Sequence, residues 1–185
     1  AGSSRKGVSN QVGSSTSIPD YPIRWSPKRD MLIMTAASGD THLKMLDIMK
    51  PTVIYYAKKH GMDCLILPIK NRPYRQRPPA WDKILLINSA LKHYKLVMWI
   101  DADAIIVDPT RNIRKVLRSD VPLHLVFHRR TPNTGMMVFR RSKKAFELLE
   151  AIWNRTAYIN HPWWEQAALM DVLGYDPNDQ NCRFQ

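Results

Sequence analysis

The sequence predicts an α/β domain, a mixed sheet flanked by helices. Three observations carry that reading. From residue 30 onward, short apolar runs alternate with longer segments whose apolar residues recur every three to four positions. One run, Lys95–Ile100, is apolar almost throughout, the pattern of a strand covered on both faces. Glycine and proline stand at the boundaries, as at Gly61 and Pro78–Pro79.

Taken in order, residues 1–29 are rich in Ser, Gly and Pro without periodicity and read as a disordered tail or stem, with the domain proper at 30–185. Met31–Thr35 is a short apolar strand, and Ala36–Gly39 a turn of small residues. Leu46, Met49, Val53 and Tyr56 define one face of a helix over 41–60, in which Pro51 is expected to make a kink or a break. Lys58, Lys59 and His60 suit the negative end of that helix, and Gly61 suits a left-handed cap. Residues 63–69 are a second strand, with Cys64 expected as a buried thiol. A basic, proline-rich loop over 70–79 leads into a helix with Trp81, Ile84, Ile87, Leu91 and Tyr94 on one face. The third strand is 95–100.

Asp108 and Pro109 look like the cap and first position of a helix over 110–119. A strand at 122–127, a loop at 128–135, a strand at 136–140 and a helix from 142 to about 154 follow. The last helix opens at His161 with Pro162 in its first turn and closes at Gly174. "NCRFQ", 181–185, reads as a strand beginning, so the domain is expected to continue past the end of this chain.

The chain has 185 residues, 44% of them hydrophobic, and a net charge of +12. That charge implies anionic partners such as nucleic acid, a membrane surface, nucleotide phosphates or acidic polymers. The basic clusters (72–77, 111–118 and 129–144) lack interleaved aromatics and a recognised binding fold, so nucleic acid is not the expected partner. No apolar run approaches the ~18 residues of a membrane span, and no signal-peptide pattern opens the chain. Two cysteines make neither a disulfide framework nor a zinc site. The Asn154 sequon falls in a predicted helix and carries little weight.

The chemistry centres on "WIDADAIIVDP", where a buried strand delivers Asp101 and Asp103 to its carboxyl end. Thirteen aspartates in this length yield about one such pair by chance, so position carries the argument. Ligands of open parallel sheets bind beyond the carboxyl ends of strands. Two carboxylates there need compensation, and a divalent cation that also binds substrate phosphates supplies it. A capping role for either aspartate is the plainer alternative. A haloacid-dehalogenase-type phosphatase fits poorly, because Ile105 stands where that motif has Thr. Sugar nucleotidyltransferases open with a Gly-rich loop, of which "TAASGD" is a poor version.

"RPPAWDKILLINSALKHYKLVMWIDADAIIVDP", "NTGMMVFRRSKKAFELLEAIW" and "HPWWEQAAL" together resemble glycosyltransferase family 34, the galactosyl-, mannosyl- and xylosyltransferases of fungi and plants. The resemblance covers roughly 30–185. It implies a GT-A fold, a UDP- or GDP-sugar donor, a glycan or glycoprotein acceptor, manganese or magnesium, and transfer with retention of configuration. By the same resemblance, Asp101 and Asp103 match the metal-binding pair, and Thr35 and Ala36 the nucleotide-contacting edge. Asn133, Thr134 and Gly135 match the block beside the sugar, and Glu165 and Gln166 the pair near the reacting carbon. Lys83 and Arg77 precede the metal strand and are placed to approach the donor. Trp163 and Trp164 suit stacking on acceptor sugar rings, one expected inside and one outside. A third metal ligand, often His, comes late in such chains and has no match here; His124, His128 and His161 read as structural or surface residues. Family members usually work in the Golgi lumen, anchored to the membrane by a helix that is not in this chain. A non-catalytic carbohydrate-binding or scaffold subunit, and a basic nucleic-acid-binding domain, are the competing readings.

Overall fold

The computed structural model describes residues 17–128 and 131–179. Strand β1 (Met31–Ala37) leads into helix α1 (Asp40–His60) and returns as β2 (Asp63–Pro68). Helix α2 (Asp82–Leu91) precedes β3 (Leu96–Ile100). Then come β4 (Leu123–His128), β5 (Thr131–Arg140), α3 (Lys143–Trp153) and α4 (Trp164–Val172). The five strands lie in the order β2-β1-β3-β5-β4. β1 pairs in parallel with β2 and β3, whereas β5 runs antiparallel to both β3 and β4.

Alternation along the strands sorts the core into two layers. Met31 and Ile33 of β1, Leu96, Met98 and Ile100 of β3 and Val138 of β5 face α1, packing on Leu46, Met49, Val53 and Tyr56. Leu32, Met34, Val97, Trp99, Met137 and Phe139 face the other way, onto α2, α3 and α4. β3 is buried along its whole length, as its unbroken apolar run predicts. Every residue of α2 is buried, including Asp82 and Lys83, because the sheet and two further helices enclose it.

Several expectations change. Helix α1 runs through Pro51 as one 21-residue element, with Pro51 on its exposed side. Gly61 ends it at φ 60° and ψ 52°, and Met62 N donates to Ala57 O at 2.9 Å, the left-handed cap that the sequence predicts. The helix expected over 110–119 is only a 3-10 turn at Ile113–Val116. Asp108 caps a tight turn instead, accepting from Thr110 N at 3.0 Å and Thr110 Oγ1 at 2.5 Å. Tyr56 Oη donates to Arg111 O and accepts from Ile113 N, so tertiary bonds to α1 take up backbone groups a helix would need. "TPNTG" is strand, not loop, because β5 pairs with β4 from its first residue. Cys64 is exposed: β2 is an edge strand and leaves that side chain uncovered.

The assignment of residues 1–29 to a disordered tail does not hold for 17–29. That segment has no helix or strand, yet Tyr21 is 6% exposed and Ile18, Ile23 and Trp25 pack against the core. Tyr21 N donates to Ser89 Oγ at 2.7 Å, and Lys28 N and Arg29 N donate to Asp63 Oδ2. Four apolar side chains sufficed to fold a segment whose Ser, Gly and Pro content argued otherwise. The expected strand at 181–185 lies outside the described residues.

Candidate active site

A cleft of about 420 Å³ opens at the carboxyl ends of β1 and β3. Ala36, Ala37 and Ser38 line it from the turn after β1, and Asp101, Ala102 and Asp103 from the turn after β3. Lys83 enters from α2, Thr134 from β5, and Trp163 to Gln166 from the start of α4. Blocks scattered over 130 positions of the sequence thus meet at one edge of the sheet.

Lys83 is the hub. Its Nζ stands 2.8 Å from Asp101 Oδ1 and 2.9 Å from Glu165 Oε1. It also donates to Thr134 O at 3.3 Å and Oγ1 at 3.4 Å. Burial pulls the ammonium's pKa down, but the charges and hydrogen bonds of Glu165 and Asp101 outweigh it and hold it above the ordinary lysine value. Lys83 is therefore a cation committed to two carboxylates, and its three protons are spoken for before a donor arrives. Lys83 lines the cleft, and its charge there is taken up by Asp101 and Glu165.

Trp99 Nε1 donates to Asp101 Oδ1 at 2.6 Å, so that oxygen carries two donors. Asp101 N donates to Gly135 O at 2.8 Å, which ties the turn after β3 to β5. Asp103 is exposed at the cleft wall. Thr134 Oγ1 donates to Glu165 Oε1 at 3.0 Å, and Thr134 N to Gln166 Oε1 at 3.2 Å. Glu165 is 3% exposed, with Oε1 doubly bonded and Oε2 buried without a protein partner. An unpaired buried carboxylate oxygen in a cleft wall is a place for a ligand's donor group.

Gly135 explains its block. A Cβ there would stand 2.8 Å from Asn133 Oδ1 and 3.4 Å from Asp101 Oδ2. Asn133 Oδ1 accepts from Gly135 N at 2.8 Å, so the pair packs the strand closely against the aspartate. Asn133 and Gly135 support the cleft rather than line it, whereas Thr134 does line it. Thr35 is wholly buried in β1 with its Oγ1 unpartnered, and it is Ala36 that reaches the cleft. Arg77 points elsewhere. Its guanidinium lies 4.6 Å from the Trp81 ring centre and 3.6 Å from that of Trp153, donates to Trp153 O, and has its pKa lowered by burial to about 10.

Neither tryptophan of the pair is core: Trp163 is half-buried and Trp164 is 43% exposed, so the one-in, one-out expectation fails. Trp164 sits at φ 42°, a left-handed backbone costly for a bulky residue, and at the cleft wall. Sequence reasoning missed Trp99 and His42. Trp99 was legible only as a strand residue, and His42 carries no pattern that separates it from a surface helix position. His124 Nε2 accepts from Arg118 N and His161 Nδ1 from Trp163 N, structural roles as expected.

The donor set can be tested against a divalent cation. Among the described residues no three His, Cys, Asp or Glu side chains stand close enough to hold one. Two carboxylates at a cleft edge, one exposed, nevertheless fit a hard ion that keeps several waters and takes its other ligands from phosphate oxygens.

The family model described as the galactosyl transferase GMA12/MNN10 family matches residues 28–132, more than half of the chain. The chain belongs to that family. It is a glycosyltransferase, and its family implies a nucleotide-sugar donor and a glycan acceptor. No curated protein sequence matches it. Among solved structures it is similar to a glycosyltransferase involved in glycosylation of the major capsid of PBCV-1, with a TM-score of 0.61 and 16% identity over 78% of this chain and 76% of that one. That likeness shows the fold, the GT-A arrangement. Two weaker likenesses are to a Drosophila beta-1,4-galactosyltransferase 7 variant complexed with manganese, UDP-Gal and xylobiose (TM-score 0.45, 16% identity, 65% of this chain and 52% of that one) and to A197 from STIV (TM-score 0.46, 14% identity, 77% of each).

Proposed function

We propose that this glycosyltransferase is metal-dependent and retaining, moving a hexose or pentose from a UDP- or GDP-sugar to a glycan or glycoprotein acceptor. The observation that carries the reading is the Lys83 bridge. It joins Asp101, at the phosphate end of the cleft, to Glu165, beside Trp163 and Trp164. Manganese or magnesium held by Asp101 and Asp103 would neutralise the charge that builds on the departing diphosphate.

The chain's own residues do the rest. The small side chains of Ala36 and Ala37 let the nucleotide approach the end of β1. Glu165 Oε2 accepts a hydrogen bond from a sugar hydroxyl, its other oxygen being fixed by Lys83 and Thr134. Gln166, held through its Oε1 by Thr134 N, offers its amide hydrogens to an oxygen at the reacting end of the sugar. Trp163 and Trp164 present ring faces to the apolar C–H surface of the acceptor. As the sugar–phosphate bond breaks, its electron pair passes to the diphosphate. The acceptor oxygen then bonds to the same face of the sugar carbon, and its proton moves to the phosphate oxygen just released. We assign no protein nucleophile, because transfer of the acceptor oxygen to the face the diphosphate leaves needs none.

Thermal stabilisation tests this. UDP or GDP with manganese should raise the melting temperature, and either alone should do little. Asp103→Asn should abolish the joint effect without lowering the basal melting temperature. Indifference of the native protein to both nucleotides would overturn the reading. In the cell, we place the full-length enzyme in the Golgi lumen, held by an anchor outside this chain. Digestion of the catalytic domain by protease added to intact microsomes would refute that.

A further inference from the structure

We infer that the outer face of α1, with the 104–117 segment beside it, is a docking surface for an anionic lipid bilayer. Helix α1 buries Leu46, Met49, Val53 and Tyr56 in the core. The opposite stripe of such a helix is ordinarily polar. Here it carries Ile48, 71% exposed, and Tyr55, 55% exposed, set among the exposed Lys44, Lys58 and Lys59.

The 104–117 segment extends that stripe. It is pinned along the flank of α1: Ile106 N donates to Thr52 Oγ1, Tyr56 Oη to Arg111 O, and Arg114 to His60 O. Pinned there, it exposes Ile105 at 55%, Val107 at 83% and Val116 at 69%, with the Arg111 side chain at 90% and Lys115 exposed as well. The face thus holds five cations against three carboxylates, Asp40, Asp47 and Asp108, and Asp108 is already bonded to Thr110 and Arg111.

Single exposed aliphatic residues are ordinary. Five exposed apolar side chains on two adjoining elements, interleaved with surplus cations, have the composition of an interfacial surface. Anionic headgroups over acyl chains supply counter-charge to the lysines and cover for the aliphatic groups together. Ile105 also lies two residues beyond Asp103, which lines the cleft, so the surface adjoins the candidate site in the chain.

Co-sedimentation with vesicles tests this without measuring transfer. The protein should bind phosphatidylcholine vesicles that contain phosphatidylserine, not phosphatidylcholine alone, and added salt should weaken the binding. Replacing Lys58 and Lys59 together by Gln should lower vesicle affinity roughly tenfold or more. Val107→Asp should lower it comparably with no change in melting temperature, since that side chain packs on little. Equal binding to both vesicle types, or binding to neither, would overturn the inference. So would concentration-dependent self-association abolished by Val107→Asp, which would make the face a contact between copies. A nucleotide response that persists while vesicle binding fails separates this inference from the assignment of the cleft.

Discussion

Replacing Lys83 by Met removes one ammonium from among two carboxylates and keeps most of the apolar stem. In the native protein the Lys83 and Glu165 side chains are 6% and 4% exposed and stand 2.9 Å apart. Removing one partner of a buried pair costs about 3–5 kcal/mol, because the other charge stays buried and uncompensated. For a chain of this size that is a fall in melting temperature of roughly 6–20 °C. The pH dependence follows from the sign of the linkage. The folded-state pKa of Lys83 is raised, so its contribution is fully present below the unfolded lysine value and fades only as pH rises through the folded one. Native stability therefore owes Lys83 no pH dependence between about 5 and 9. The loss in the variant is read at pH 8 and at pH 5, both inside that window. Glu165→Gln in the same chain removes the stranded charge and should recover most of the loss, a coupling that a double-mutant cycle reads directly. Urea unfolding of the four proteins at both pH values is the assay. A loss below about 1 kcal/mol, or an equal loss in the Glu165→Gln background, would refute the argument that Lys83 compensates these carboxylates.

Gly135→Ala should destabilise by about 1–3 kcal/mol, because its Cβ meets Asn133 Oδ1 at 2.8 Å; Asn133→Ala should relieve part of that in thermal unfolding of the double variant. Trp99→Phe removes the donor to Asp101 and should cost about 1.5–3 kcal/mol by urea unfolding, with weaker manganese-dependent nucleotide binding in titration calorimetry. Trp164→Asn suits the residue's φ of 42°, so stability should hold or rise, whereas the KM for acceptor should climb roughly tenfold in steady-state transfer assays.

Local patterns carry their own cause, and these were legible. The three-to-four spacing of Leu46, Met49, Val53 and Tyr56 puts them on one side of any helix, and Gly61 stops that helix by being able to adopt φ 60°. The unbroken apolar run of β3 means burial on both faces, and the two aspartates after it then lie at the ligand-binding edge of the sheet. The sequence by itself therefore determined the α/β class, the main elements and the location of the carboxylate pair.

Only the tertiary structure decided what those groups touch. Lys83 binds residues 18, 51 and 82 positions away, and no spacing rule relates them. A good cap at Asp108 did not make a helix, because Tyr56 and His60 of α1 bond the backbone of the following segment. "NTG" reads as loop in isolation and is strand in place, because Asn133 pairs with Val126 of β4 and Gly135 O accepts from Asp101 N. Propensities are worth tenths of a kcal/mol per residue, and long-range hydrogen bonds, buried charge and packing outweigh them wherever the two conflict. The cleft is built from such long-range terms. Its location was readable from one strand, and its wiring required the whole fold.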